Sequence, residues 1–296
     1  MTFPIHRLAD IQNAPDDFKL LELMPAMKWQ LPVTLNAPTG ETYKVVVVDC
    51  ETTGLDAQEC DIIEFGFVVL TVEVATGNIC TVERMGSYYN EPSVPIEPMI
   101  TEITGITNED VAGHHLSMDL ILDAFSGADL CVAHNAKFDR SFVDSHVAKL
   151  GYPALTVPWA CSIKDVDWRT LGAESNALGY LLFKKGYFFT GHRAWVDCLA
   201  TVYMLYIETE AMQRIITAFT TPTYDLRVTS RFEAKERLKE LGCQWDPGAK
   251  QWHKVMTGNN AELFAEADNL KTADAPGTVT VELEVISPLM RYAANA

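Results

Sequence analysis

Positive charge is scarce in this chain of 296 residues. Lys and Arg together number 23, against 40 Asp and Glu, which gives a formal net charge of −17 at pH 7. A chain of this charge does not adhere through its overall field to a polyanion or to an anionic membrane. Any contact with nucleic acid must therefore be local, aided by metal ions and sensitive to salt.

Closely spaced cysteines and long apolar runs are also missing. The seven cysteines are scattered without a CxxC pair, which argues against a zinc site and favours buried free thiols in a reducing compartment. The first residues lack a charged start followed by an apolar core, the pattern of a secretory signal. No run approaches the roughly 18 apolar residues of a membrane span. We therefore expect a cytoplasmic protein with no membrane partner.

Proline and composition shifts suggest three regions. Hydrophobic residues make up 48% of the chain, as in ordinary globular proteins, and the length allows one domain of about 150 to 200 residues plus a smaller module. Five prolines before position 42 predict an arm, residues 1–41, with one short helix at 18–29. A Thr-Thr-Pro boundary at 220–222 then separates a main domain, residues 42–215, from a C-terminal module, residues 223–296.

The main domain begins with strands and continues with alternating strands and helices. Apolar stretches predict strands at 43–49, 62–74 and 79–89, and a Thr-Gly-Asn turn makes the last two antiparallel neighbours. Further strands are expected at 129–133 and 157–161, and helices at 117–125, 134–150, 176–183 and 192–212. This order predicts an α/β fold in which helices flank a mixed sheet.

Two acidic residues mark the end of the first strand. In the stretch VVVVDCETTGL, residues 45–55, four valines predict a short buried strand. Asp49 and Glu51 are two apart and so point to the same face, where their like charges repel. A divalent cation such as Mg²⁺ or Mn²⁺ relieves that repulsion, and residues 52–54 then turn the chain with hydroxyls and a flexible backbone. The alternative for this stretch alone is a pair of solvated acids before a turn.

Two further motifs carry histidine and aspartate near helix starts. His134-Asn135-Ala136-Lys137-Phe138-Asp139 opens one helix, and His192 precedes another that contains Asp197. On a single helix a five-residue offset would rotate two side chains by about 140°. We therefore expect His192 on the loop and Asp197 one turn inside the helix. Considered singly, Asp139 is typical of a solvated acid and His192 of a helix cap.

Together the three motifs resemble the DEDDh exonuclease family, the DnaQ-like branch of the ribonuclease H-like fold, over about residues 42–212. The resemblance implies a ribonuclease H-like mixed sheet and a 3′–5′ exonuclease that releases nucleoside 5′-monophosphates from single-stranded 3′ ends. DNA is the expected substrate, with a polymerase or a replication or repair protein as partner. One alternative is an exoribonuclease of the ribonuclease T or oligoribonuclease type. The other is a non-catalytic adaptor of a polymerase or nucleic acid, against which the complete set of five catalytic positions argues.

The family's chemistry assigns a role to each of the five residues. Phosphodiester hydrolysis needs an activated water and a stabilised leaving oxygen, and two metal ions about 3.5–4 Å apart provide both. The resemblance implies that His192 is the general base, a role suited to histidine near neutral pH. It also implies two Mg²⁺ or Mn²⁺ ions per site, with Asp49 bridging them, held by the four carboxylates Asp49, Glu51, Asp139 and Asp197.

The resemblance also implies contacts with the terminal nucleotide. Phe138 can pack on a sugar or base but is equally plausible as a core residue. Glu64 resembles the family's strand-two carboxylate near the 3′ end and is equally plausible as a structural residue. Thr104 stands where many polymerase-associated members have histidine, which predicts a different grip on the nucleotide. The full set of candidate substrate-binding residues is Thr52, Thr53, Gly54, Leu55, Glu64, Thr104, Asn135 and Phe138.

The C-terminal module is predicted to be a small α+β unit. Residues 223–256 carry seven basic and five acidic residues, a local excess of positive charge. They weakly resemble a small domain of uncertain function in primase- and topoisomerase-associated proteins, in which a helix precedes a Gly-x-x-Trp-Asp turn, here Gly242, Trp245 and Asp246. Such aromatics with scattered Arg and Lys bind single-stranded nucleic acid, or else Trp245 and Trp252 form the module's own core. We expect strands at 224–228, 251–255 and 278–286, helices at 231–241 and 261–270, and an N-cap at Ser230.

Overall fold

The computed structural model describes residues 5–293; residues 1–4 and 294–296, at the outer ends of the predicted arm and module, lie outside this range. Within it the strands are β1 (Glu22–Leu23), β2 (Val33–Thr34), β3 (Thr42–Thr52), β4 (Ile62–Glu73), β5 (Ile79–Tyr89), β6 (Leu130–Ala133), β7 (Trp159–Cys161), β8 (Tyr187–Phe188), β9 (Thr223–Thr229), β10 (Gln244–Asp246), β11 (Gln251–Thr257) and β12 (Thr280–Ile286).

The helices complete the architecture. Within the described range they are α1 (Leu8–Asn13), α2 (Pro98–Thr104), α3 (Asn108–Val111), α4 (Met118–Ala124), α5 (Ala136–Lys149), α6 (Leu178–Lys184), α7 (Ala194–Ile207), α8 (Thr209–Thr220), α9 (Lys235–Glu240) and α10 (Asn260–Lys271). From residue 5 to residue 293, no helix has both the length and the apolar character needed to cross a bilayer.

The main domain is built on a six-stranded mixed sheet. Its order is β2-β5-β4-β3-β6-β7, with β3, β4 and β5 antiparallel and with β6 parallel to both β3 and β7. The run of four valines in β3 lies at the centre of this sheet, as expected for a strand that is covered on both faces. The predicted α/β fold with helices flanking a mixed sheet is confirmed.

The pleat of β3 divides its side chains between two apolar cores. Val45 and Val47 pack with α6, α7 and α8 on one face, whereas Val46 and Val48 pack with α4 and α5 on the other. Because side chains alternate along a strand, Asp49 and Glu51 follow Val45 and Val47 onto the α7 face. This alternation decides which helix can approach the two acids.

The segment before β3 is not the helix predicted at 18–29. Pro25, which lacks an N–H donor, would fall in the interior of that helix; instead β1 pairs in parallel with β8, and a 3-10 turn spans Pro25–Lys28. Met24 is fully buried in the α7-side core, and β2 forms an edge of the main sheet by pairing with β5. Residues of the predicted arm therefore pack within the main domain's core, and the boundary at 41 stays a prediction.

The single helix predicted at 192–212 is also wrong. It divides at Glu208, whose backbone (φ −121°, ψ 73°) is not helical, into α7 and α8. The Glu208 carboxylate accepts a hydrogen bond from Lys185 at 2.6 Å. The change of direction allows Ala211, Met212 and Ile215 of α8 to enter the same core as α7.

The C-terminal module is an antiparallel sheet, in the order β10-β11-β9-β12, packed against two helices. Leu226 from β9, Leu238 from α9 and Leu263 from α10 meet in its core. The predicted N-cap at Ser230 is wrong, because the chain first enters a 3-10 turn for which Arg231 is the N-cap. The Ser230 hydroxyl has no hydrogen-bond partner among the described residues.

The chain beyond β12 returns to the main domain. Arg140 of α5, 3% exposed, donates hydrogen bonds to the carbonyl oxygens of Leu289 at 2.6 Å and Arg291 at 2.5 Å. Arg291 in turn pairs with Asp165, to which the Tyr292 hydroxyl also donates at 2.6 Å. The last described residues are thus tied to the helix that carries Asp139.

Candidate active site

Three of the predicted metal-binding carboxylates meet where β3 ends and α7 begins. Asp49, Glu51 and Asp197 each offer an oxygen, and these oxygens lie within 4.8 Å of one another. Asp49 and Glu51 share the face of β3 that α7 covers, and Asp197 lies in the first turn of α7. A register shift between Glu51 and Thr52 disturbs the pairing with β4 at this point, as bulges near active sites do.

A glycine on the neighbouring strand allows the helix to come this close. Gly66 of β4 pairs with Asp49, and a Cβ atom at this position would lie 2.4 Å from the carbonyl carbon of Ala194. The backbone at the start of α7 therefore rests directly on the sheet, which a side chain at position 66 would prevent. This contact brings Asp197 to the acids of β3.

The fourth carboxylate approaches from the opposite side of β3. Asp139, in the first turn of α5, is 2% exposed, and its Oδ1 accepts a hydrogen bond from the backbone N–H of Cys50 at 3.1 Å. Cys50 lies between Asp49 and Glu51, so this bond fixes Asp139 at the same strand end. Asp139 therefore lies at the strand end that carries the other acids, although it is not one of the three whose oxygens lie within 4.8 Å of one another.

The electrostatics of this cluster favour the uncharged carboxyl forms. Burial, followed by the charges of Asp139, Asp197 and Glu51, raises the pKa of Asp49 well above its ordinary value. Burial chiefly raises the pKa of Glu51 to about 7 and that of Asp139 to about 8, and it also raises the pKa of Asp197. Mg²⁺ and Mn²⁺ bind carboxylate oxygens of this kind, which lack enough neighbouring positive charge to balance them. These residues therefore fit divalent cations.

The raised pKa values predict a pH-dependent response to Mg²⁺. A carboxyl group whose pKa is higher in the folded than in the unfolded protein contributes stability that is lost as pH rises through the folded pKa. For Glu51 and Asp139 that loss ends near pH 7 to 8. We expect Mg²⁺ to raise the melting temperature more at pH 8 than at pH 6, because fewer protons then compete for the ligands. Differential scanning fluorimetry with and without EDTA measures this, and equal rises at both pH values would contradict it.

His192 lies beside the cluster on the loop before α7, as expected. Its side chain is exposed and its φ is +65°, in the left-handed region, which costs a residue other than glycine about 1–2 kcal/mol. The other motif histidine, His134, has both ring nitrogens in hydrogen bonds, to Ser162 Oγ at 2.6 Å and to the Asn176 carbonyl oxygen at 2.9 Å. Burial lowers the pKa of His134 to about 4. Of these two imidazoles, that of His192 is the exposed one.

An ion pair that the motifs do not predict, between the partly exposed Arg193 and the buried Glu64, fixes the start of α7. Arg193 Nε donates to Glu64 Oε2 at 3.0 Å, and Arg193 Nη2 donates to the Tyr89 hydroxyl at 2.7 Å. The fully buried carboxylate of Glu64 also accepts hydrogen bonds from the Ala194 N–H at 3.0 Å and from the Ser87 hydroxyl. These contacts support the structural role for Glu64. The available signal was a lone acid in an apolar strand, which requires a cation or several donors.

The last residue of β3 and the loop after it contain four of the predicted substrate-binding residues. Thr52 is buried and its hydroxyl donates to the Gly54 carbonyl oxygen at 2.6 Å, while the Thr53 hydroxyl accepts from the Asp61 N–H at 3.0 Å. These bonds give the loop a defined shape next to the acids. Leu55 at its tip is 88% exposed, so this apolar side chain is free to meet a ligand.

The remaining substrate-binding candidates lie on two helices, α2 and α5. Thr104 is buried, and its hydroxyl donates to the Ile100 carbonyl oxygen at 2.9 Å at the end of α2. Asn135 is exposed at the N-cap of α5. Phe138 is half-buried, with its ring centroid 4.8 Å from that of Phe142. Its contacts are thus partly those of the core, and all of these substrate contacts stay predictions.

Sequence comparison gives the family and a set of relatives. The RNase_T family model, described as "Exonuclease", matches residues 46–205, more than half of the chain. The chain is 27% identical over 249 residues to the DNA polymerase III PolC-type of Lactococcus lactis subsp. lactis (strain IL1403), an alignment that covers 80% of this chain and 14% of that protein. The corresponding protein of Thermotoga maritima is 28% identical over 258 residues, covering 79% and 17%. The chain therefore spans less than a fifth of the length of these relatives.

Structural comparison agrees on the fold. The zinc-bound complex of E. coli ExoI with single-stranded DNA gives a TM-score of 0.53 at 15% identity, covering 84% of this chain and 63% of that one. Exonuclease X, in complex with 5′ overhanging duplex DNA, is 26% identical with a TM-score of 0.42, covering 58% of this chain and 99% of that one. The likeness to ExoI confirms the ribonuclease H-like fold. With a family match across more than half of its length, this chain belongs to the exonuclease family of DnaQ-like nucleases that its motifs predicted.

Proposed function

We propose that this chain is a Mg²⁺- or Mn²⁺-dependent 3′–5′ exonuclease that releases nucleoside 5′-monophosphates from single-stranded DNA. The observation that carries the proposal is the cluster of Asp49, Glu51 and Asp197, whose carboxylate oxygens lie within 4.8 Å of one another. Asp139 is fixed at the same strand end. Four acids placed together with raised pKa values are unfavourable unless cations join them.

Each carboxylate has a definite place in the proposed metal site. Asp49 is the residue whose pKa is raised by the charges of all three others, which supports its contact with both of two cations. Glu51, Asp139 and Asp197 complete the ligand set from β3, α5 and α7. Bound there, the cations supply a polarised water and charge stabilisation for the leaving 3′ oxygen.

His192 acts as the general base in this proposal. Its exposed imidazole lies on the loop before α7, whose first turn carries Asp197, and the Glu64–Arg193 pair fixes the start of that helix. The imidazole takes the proton of the attacking water, and the left-handed backbone that presents it is a strain typical of functional positions. Asp197 accepts a hydrogen bond from the Arg193 N–H at 3.2 Å, which holds the loop against the cluster.

Replacing His192 by Ala separates chemistry from metal binding. We expect His192→Ala to lower kcat by about 10²- to 10⁴-fold and to leave the Mg²⁺-dependent rise in melting temperature unchanged, because the imidazole is not a metal ligand. The matched control is His115→Ala, which removes another exposed histidine and should leave kcat unchanged. Loss of the Mg²⁺ response in His192→Ala would instead make this residue a ligand.

The terminal nucleotide is proposed to lie between the loop after β3 and the start of α5. The exposed Leu55 and the residues before it, Thr53 and Gly54, line one side of this space, and Asn135 and Phe138 line the other. Buried Thr104 acts by shaping α2. Because the matched relatives are named as DNA polymerases, we choose DNA over RNA as the substrate. For the same reason we propose a replication or repair setting, in which a polymerase or another such protein is the partner.

Labelled strands test the proposed reaction. We expect a single strand of DNA labelled at its 3′ end to release a labelled mononucleotide at once, and the same strand labelled at its 5′ end to shorten one nucleotide at a time. Both changes should require Mg²⁺ and stop in EDTA. Release from the 5′ end, internal cleavage or no release would contradict the proposal, and faster loss of the matched RNA would favour the exoribonuclease.

A further inference from the structure

A cavity of about 480 Å³ lies in the C-terminal module, away from the acidic residues described above. It is formed by the end of β9, the 3-10 turn that follows, α9 and the β10–β11 hairpin. Neither the family match, which ends at residue 205, nor the proposed reaction assigns it a role.

Aromatic rings form much of its wall. Phe232 is 75% exposed and Trp245 is 49% exposed, although both are large apolar side chains. Trp245 pairs across the hairpin with Trp252, with ring centroids 5.5 Å apart and planes at 66°. Among the described residues, Trp252 packs against the module's core, whereas Trp245 is not part of that cluster. The core interpretation therefore holds for Trp252 and not for Trp245.

The charged side chains of the cavity are all basic. Arg231, Lys235, Lys239 and Lys250 line it, and no acidic residue does. Lys235 Nζ lies 4.3 Å from the centre of the Phe232 ring, and Lys250 has no ion pair among the described residues. Nearby acids pair with the others: Asp274 lies 2.9 Å from Arg231, and Glu236 lies 3.3 Å from Lys239 and 3.8 Å from Lys235. Exposed pairs of this kind are weak, so a phosphate can replace them.

We propose that this cavity binds a segment of single-stranded nucleic acid, with bases stacked on Phe232 and Trp245 and phosphates held by the lysines. Flat aromatic faces can stack with unpaired bases, which a duplex does not offer. Four cations and no acid are complementary to a polyanion, in a chain whose overall net charge is −17. Binding here is independent of the acidic cluster; its use to hold the strand during digestion rests on the proposed function.

The aromatic contribution is tested by binding without catalysis. Fluorescence anisotropy with 5′-fluorescein-labelled oligothymidylate of 20 nucleotides, in EDTA, measures the affinity of the full chain. We expect the double variant Phe232→Ala/Trp245→Ala to bind about tenfold more weakly, since stacking contributes substantially per base. The matched control is Phe264→Ala, which removes another exposed aromatic of the same module outside the cavity and should bind normally. Circular dichroism melts confirm that each variant is folded.

The phosphate contacts are tested by salt dependence. Each phosphate contact to a single strand contributes about 0.7 to the slope of log K against log salt. The variant Lys235→Gln/Lys239→Gln should therefore flatten that slope by about 1.4, whereas the control Lys271→Gln, at an exposed position of α10, should not change it. An unchanged slope in the cavity variant would overturn the lysine assignment.

Two further experiments complete the test. One separates base stacking from a structural effect of the substitution, and the other separates binding of a strand from binding of a free nucleotide. The single variant Trp245→Phe keeps an aromatic face and should retain the affinity of the wild type. It also removes the indole fluorescence that a stacked base quenches. Thymidine monophosphate should compete far less than a strand at equal phosphate concentration; equal competition would overturn binding of a strand. Wild-type affinity in Phe232→Ala/Trp245→Ala, or an equal loss in Phe264→Ala, would overturn the site. Because no arm needs cleavage, failure of the proposed exonuclease activity would leave these results interpretable.

Discussion

Asp49→Asn is expected to lower kcat by at least about 10³-fold and, in EDTA, to raise the melting temperature. The first effect follows because Asp49 is proposed to contact both cations. The second follows because burial, followed by the charges of three other carboxylates, raises the pKa of Asp49. A neutral amide of the same shape removes the cost of either protonating this carboxyl group or holding its charge beside the others. Asp197→Ala should show a comparable loss of activity.

The two readouts are decisive together. Steady-state release of mononucleotides gives kcat, and scanning fluorimetry in EDTA and in Mg²⁺ gives the melting temperatures. Asp49→Asn should lose the Mg²⁺-dependent rise that the wild type shows. Glu102→Gln, which neutralises an exposed acid on α2, should behave as the wild type in both assays. A near-normal rate in Asp49→Asn, or a lower melting temperature in EDTA, would show that the acids of the cluster are not arranged around cations.

Gly66→Ala is expected to destabilise the fold by about 3 kcal/mol and to reduce activity. The added Cβ would lie 2.4 Å from the Ala194 carbonyl carbon and 2.5 Å from the Trp195 nitrogen. Both are backbone atoms, so a rotamer change cannot relieve the clash, and α7 must move off the sheet. A shift of about 1 Å in a catalytic group costs about 10²-fold in rate, and α7 carries Asp197.

Gly179→Ala is the matched control for this substitution. Position 179 lies in α6, where an added Cβ would meet no atom within 4 Å, so alanine should be neutral or stabilising by up to about 1 kcal/mol. Urea unfolding followed by circular dichroism measures both variants. Wild-type stability in Gly66→Ala would contradict the direct contact between α7 and β4.

The sequence was most informative where one local pattern determines the structure. The valine run and the two-residue spacing of Asp49 and Glu51 predicted a central strand with both acids on one face, because pleating alone decides this. Predictions failed where distant contacts decide. Residues 18–29 do not form one helix because β8 supplies a pairing edge and Pro25 has no N–H to donate. Glu208 interrupts a helix that periodicity alone would continue.

The contact between Glu64 and Arg193 shows what spacing cannot reveal. These residues are 129 positions apart, and no periodic pattern links a strand to a loop at that distance. Their meeting depends on Gly66, two residues along the same strand, which allows α7 to approach. The motifs therefore predicted that Asp49, Glu51 and Asp197 meet, whereas the support for α7 required three-dimensional packing.

The central claim, that the carboxylates of β3, α5 and α7 hold two divalent cations, is tested most directly by anomalous diffraction. Crystals of the full chain grown with Mn²⁺ and a nucleoside 5′-monophosphate should show two anomalous peaks, both in contact with Asp49 and with the phosphate beside them. No peak among Asp49, Glu51, Asp139 and Asp197, with Mn²⁺ bound only elsewhere, would contradict the account.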